Sequence, residues 1–93
     1  MATKAQVKAR LVPRLTIKKL QNTAWSDITS AVGSASIEYK NAIVNALKKN
    51  DTRRAGEIIY KIVKNSMVAE ANIEADSILA DNSLSLDEID DLL

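Results

Sequence analysis

No cysteine, histidine or phenylalanine occurs in this sequence, and there are only two glycines and one proline. Without cysteine there is no disulfide, no thiolate metal site and no thiol nucleophile. Without histidine, the commonest general base and the commonest transition-metal ligand are both gone. The aromatic residues are one Trp and two Tyr, so Leu, Ile, Val and Ala must fill the core. So little glycine and proline leaves room for few, short loops. No apolar run approaches the roughly 20 residues that a membrane-spanning helix needs. No basic stretch is followed by the apolar segment of a leader peptide. A cytoplasmic protein without membrane contact is expected.

What is present is helix-forming. The chain has 93 residues, 46% of them apolar, which suits a folded domain with a modest core. No run of β-branched and aromatic residues alternates with polar ones. Thr3 and Gln6 form a capping box that opens a first segment, 3–12. Pro13 biases Val12 away from the α region, so the spacing predicts a break there. A second segment then runs over 13–23 with Ile17, Leu20 and Ala24 as its apolar stripe. Ser26 or Asp27 can cap a short helix that Gly33 ends in a left-handed turn. A fourth segment, 36–49, places Ile37, Tyr39, Ala42, Ile43, Ala46 and Leu47 on one broad side, with Val44 at its edge. Asn50-Asp51-Thr52 reads as a stop followed by a new N-cap.

The longest segment spans 52–80. Ala55, Ile58, Ile59, Ile62, Val63, Ser66, Ala69 and Ile73 share one stripe, and Tyr60, Met67, Ala71 and Ile78 a second. A helix with two apolar faces touches two neighbours. It is either the central post of a bundle, or its second face meets another chain. After a hinge at Asp81-Asn82-Ser83, Ser85 and Glu88 form another capping box, with Leu84 and Ile89 as a hydrophobic staple. A short helix follows, with Leu86, Ile89, Leu92 and Leu93 on one side and Asp87, Glu88, Asp90 and Asp91 on the others. These leucines either cap the chain's own core or dock in a partner's groove. The expected fold is all-α: a small bundle of four to six helices organised around the long helix at 52–80, with a short C-terminal amphipathic helix. The expected division is a helical domain over 1–80 and a hinge plus acidic helix over 81–93.

The net charge of +1 hides a polarity along the chain. The first 26 residues carry Lys4, Lys8, Arg10, Arg14, Lys18 and Lys19 and no acid. From residue 65 onward there are Glu70, Glu74, Asp76, Asp81, Asp87, Glu88, Asp90 and Asp91 and no base. The two ends attract each other, or the basic end meets an acidic partner such as nucleic acid, or both are solvated faces.

Few motifs for chemistry are present. There is no glycine-rich phosphate loop. The run from Asp81 to Leu92 fails as a calcium loop, because Leu86 stands where glycine is required and Leu92 where the bidentate Glu belongs. A small chain with three aromatic residues and no His or Cys is not expected to be an enzyme, nor to hold a metal, cofactor or small-molecule substrate. Residues 27–42 have the outline of a helix-turn-helix, and Lys48, Lys49, Arg53 and Arg54 add a basic cluster to the Lys and Arg of the head. A small nucleic-acid-binding protein using those bases is therefore the second functional reading. The first is a non-enzymatic interaction or assembly component. It would meet a protein partner or its own copies through Tyr60, Met67, Ala71, Ile78, Leu86, Ile89, Leu92 and Leu93.

A short Cys-less helical chain, rich in Ala, Ser, Asn and Lys, with a basic head and an acidic Leu-rich tail, resembles the small accessory and assembly proteins of tailed bacteriophages. The resemblance implies a virion, assembly or host-interaction protein that works in several copies or on a larger protein.

Overall fold

The computed structural model describes residues 3–81 and 85–92, the last of these by its backbone alone. Among them are five helices and no strand, so the fold is all-α. They are α1 (Lys4–Gln21), α2 (Trp25–Ser34), α3 (Ile37–Lys48), α4 (Thr52–Ala80) and α5 (Leu86–Leu92). They divide into two compact units. Unit 2 is Thr23–Ser66; unit 1 takes the chain up to Asn22 and again from Met67 onward. The long helix α4 contributes to both. No edge between units falls near residue 81, because α5 belongs with α1 and the end of α4. Asn82, Ser83 and Leu84, the expected hinge and staple, lie outside the described residues.

The helix ends follow local chemistry closely. At α1 the Thr3 hydroxyl accepts from the Gln6 N–H at 3.2 Å, and the Gln6 side chain accepts from the Thr3 N–H at 3.0 Å. Asn50 sits at φ 57, Asn50 N–H reaches the Leu47 carbonyl at 3.0 Å, and Asp51 N–H reaches that of Ala46 at 2.8 Å. This pair of bonds is the Schellman arrangement, which ends α3. Asp51 then opens α4 by accepting from the Arg54 N–H at 3.0 Å. At α5 the Ser85 hydroxyl accepts from the Glu88 N–H at 3.1 Å.

Two expected interruptions are absent. Pro13 lies inside a continuous α1. Proline deprives the Ala9 carbonyl of its helical donor, but Ala9 and Pro13 are both exposed, so water can serve that group. Val7 and Leu11 are buried before the proline and Thr16 after it, which holds both halves in one helix. The Thr16 hydroxyl is satisfied by the Val12 carbonyl at 2.8 Å. Ile17 is exposed, so the stripe read for 13–23 is also replaced: Leu15, Thr16, Lys19 and Leu20 turn inward. Gly33 likewise lies inside α2, with no positive φ. Two extended residues, Ala35 and Ser36, make the connection to α3 instead. The start of α2 is held by Asp27, whose carboxylate accepts from the Ala24 N–H at 2.9 Å.

Burial along α4 changes phase. In unit 2 the buried residues are Ala55, Ile58, Ile62 and Val63, as the first stripe predicts. In unit 1 they are Met67, Ala71, Ala75 and Leu79, at a spacing of four. Four exceeds the 3.6 residues of a turn, so this row drifts around the helix. Ala69 and Ile73, read as continuing the first stripe, are exposed. Ala71 and Ala75 are fully buried, and such small side chains let helices approach closely. The unit 1 core gathers Val7, Leu79 and Ile89, with Ile78 and Leu86 packed against them.

Candidate interaction surface

Most of the residues read as partner-binding are engaged within the chain. Met67, Ala71 and Ile89 are buried, and Ile78 and Leu86 pack on the Val7–Leu79–Ile89 cluster. Met67, Ala71 and Ile89 are thus enclosed, while Ile78 and Leu86 stay half-buried. Tyr60 is exposed and belongs to unit 2. The Leu92 side chain and Leu93 lie outside the described residues. The terminal helix therefore caps its own core, one of the two alternatives left open by its sequence.

The bases of the head are largely answered by the acids of the tail. Lys8 pairs with Asp76 at 2.8 Å, Lys19 with Glu74 at 2.7 Å, and Arg10 with Asp90. The hydrogen bond from Lys19 to Glu74, aided by the charges of Glu74 and Glu70, holds the Lys19 ammonium above its ordinary pKa, against a smaller opposing effect of desolvation. Lys4, Arg14 and Lys18 are exposed, with no acid in ion-pair reach among the described residues. Of the three readings of the charge pattern, attraction between the ends within one chain is the one the ion pairs realise.

The surplus of positive charge consequently lies elsewhere. Unit 2 has seven Lys and Arg against four Asp and Glu, whereas unit 1 has six against eight. Lys48 and Lys49 close α3, and Arg53 and Arg54 open α4, all four exposed. Glu57 takes both arginines, Arg53 at 3.3 Å and Arg54 at 3.7 Å. The helix-turn-helix outline loses its glycine turn, and Glu38 places a carboxylate in the first turn of α3. A groove of about 370 Å³ between α3 and α4 is lined by Glu38, Tyr39, Ala42, Arg54, Glu57, Ile58 and Lys61. Its charges are partly matched already, with Lys61 over the Tyr39 ring at 6.0 Å and Glu57 on the arginines. It holds no nucleophile activated by a base. Among the described residues no three carboxylates gather as metal ligands, and no helix is long and apolar enough to cross a membrane.

Exposed apolar side chains occur singly at Ile17, Trp25, Tyr60 and Ile73, and as a row on α3. Tyr39, Ala42, Ile43 and Ala46 turn toward the rest of unit 2, in keeping with the apolar side read from sequence. Ile37 and Leu47, placed on that same side, are instead 67% and 57% exposed, and Val44 is 47% exposed. They form an outward row, Ile37–Lys40–Val44–Leu47, at the alternating three and four spacing of a coiled-coil seam. Lys40 is half-buried and donates to the Gly33 carbonyl at 2.8 Å, and Lys48 and Asn41 flank the row. This spacing was the available signal, obscured because apolar residues occur on both sides of so short a helix. No protein-family model matches the chain, and neither a curated protein nor a solved structure does.

Proposed function

We propose that this chain is a non-enzymatic interaction or assembly component whose contact surface is the outward row of α3. The exposure of Ile37, Val44 and Leu47 along one line carries this reading. Fully burying such a side chain contributes on the order of 1.5–3 kcal/mol, and contiguous apolar exposure marks contact sites. Lys40 within the row and Lys48 beside it favour a partner with acidic residues around an apolar centre. The resemblance to accessory and assembly proteins of tailed bacteriophages supports the same class. Leu47→Glu tests the reading, because it alters the row at an exposed position. Wild-type and variant proteins are used as bait in the cells that make the chain. A partner retained by the first and lost by the second is expected; identical capture by both overturns the reading.

A second reading rests on Lys48, Lys49, Arg53 and Arg54, which crowd one turn of the more basic unit. Were all four on phosphates, binding to generic duplex DNA would weaken with salt at a logarithmic slope of about −3.6. A slope near zero, or no binding, removes nucleic acid as the partner.

A further inference from the structure

Unit 1 carries an exposed row of its own on α4: Ala69, Ile73, Asp76 and Ala80. Ile73 is 72% exposed, and the Asp76 side chain is largely open although Lys8 pairs with it. Its spacing is again that of a coiled-coil seam. Set parallel, three positions of each row match: Ile37 meets Ile73, Lys40, whose ammonium also reaches the Gly33 carbonyl, meets Asp76, and Val44 meets the small Ala80. The units differ in net charge as well: unit 2 has a surplus of bases and unit 1 a surplus of acids.

We propose that the partner of the α3 row is a second copy of this chain, docked through the α4 row of its unit 1. This proposal rests on the reading of α3 as the contact surface and names its occupant. The contact is heterologous: each copy donates one row and leaves the other free for the next copy. Copies joined this way grow into a ring or an open string rather than stopping at a two-fold dimer. Lys40 and Asp76 at one level set the register, because a shift of either row leaves a charge against an apolar neighbour.

The test uses two full-length variants, each blocked at one row. Val44→Glu spoils α3 and leaves α4 intact; Ile73→Glu does the reverse. Both positions are exposed, and helical circular dichroism checks that each variant folds. Sedimentation equilibrium of the wild type should show a mass that climbs past the dimer with concentration. Each variant alone should be monomeric. Mixed in equal amounts, the two should form a one-to-one pair and grow no further, since only one productive pair of rows remains. A wild type that stays monomeric at about 1 mM, at the weak end of specific association, overturns the proposal. So does a mixture that stays monomeric, or association that survives Ile73→Glu. If the wild type is monomeric and Leu47→Glu still loses a different protein, self-docking fails and the interaction reading stands. If no protein is lost either, both fail.

Discussion

Ile62 and Ile73 lie on nearly the same angular position of one helix, yet the first is buried and the second is exposed. A single stripe drawn at 100° per residue puts them together. It cannot show that the burying neighbours change along α4, because that depends on which segments return to it. Ile62→Ala should cost about 2–4 kcal/mol, as truncation of a buried aliphatic does. Ile73→Ala should cost less than about 0.5 kcal/mol. Urea midpoints of the two variants decide, and equal losses would show that the phase change is wrong. Lys19 gives a second test at this scale. Its pKa is raised by Glu74, so the pair adds stability that is fully present below the ordinary lysine value of 10.5 and is lost as pH rises through the raised value. The difference in Tm between wild type and Lys19→Gln should therefore hold steady at neutral pH and close above that value. A difference independent of pH into the alkaline range would mean that the ammonium does not contribute through Glu74.

At the scale of elements, sequence was most legible where a few neighbouring residues settle the outcome. The caps at Thr3 and Ser85, and the stop and new start at Asn50-Asp51-Thr52, are all local chemistry, and all were readable. At Pro13 the local preference is overridden by burial on either side; Gly33 lies in a helix with no buried residue and takes no positive φ, so its reading as a terminator has no such explanation. Pro13→Ala should stabilise the protein by about 1–3 kcal/mol, since alanine restores the donor that the Ala9 carbonyl lacks. A loss of stability in a thermal melt would show that the helix depends on its proline. The terminal helix has seven residues, too few to persist alone, and it is ordered by Ile89 entering the core of unit 1. Removing residues 85–93 uncovers Val7 and Leu79. The Tm should fall by more than about 10 °C, with binding of an apolar dye, for a domain of this size. A truncated chain that melts like the whole one would return the helix to a role in partner recognition.

For the whole molecule, the all-α class, the long helix at 52–80 and the polarity of charge were visible from composition and periodicity. The pairing of the ends was one of several open readings, because charge patterns state what can attract but not what meets. The two-unit organisation was only half visible: the charge changes near both boundaries, with no acid before Asp27 and no base after Lys64, but that pattern does not say that the two ends share one core. Units with separate cores open separately. In native-state hydrogen exchange, Ile62→Ala should raise the rates of the slowest amides of residues 23–66 more than those of α1 and α5. Uniform acceleration across the chain would show one cooperative body instead.

The interrupted course of unit 1 also bears on how the chain is made. Unit 2 is one unbroken stretch, whereas unit 1 takes its first helix from the beginning of the chain and its last two pieces from the end. During synthesis, α1 emerges first and meets no partner until α4 and α5 follow. Unit 2 can close its core while the rest is still being made, because its contacts span short loops. Unit 1 must join segments separated by the whole of unit 2, and that closure carries the larger entropic cost. Its basic helix waits longest, with Lys8, Arg10 and Lys19 still unanswered until the acidic end arrives.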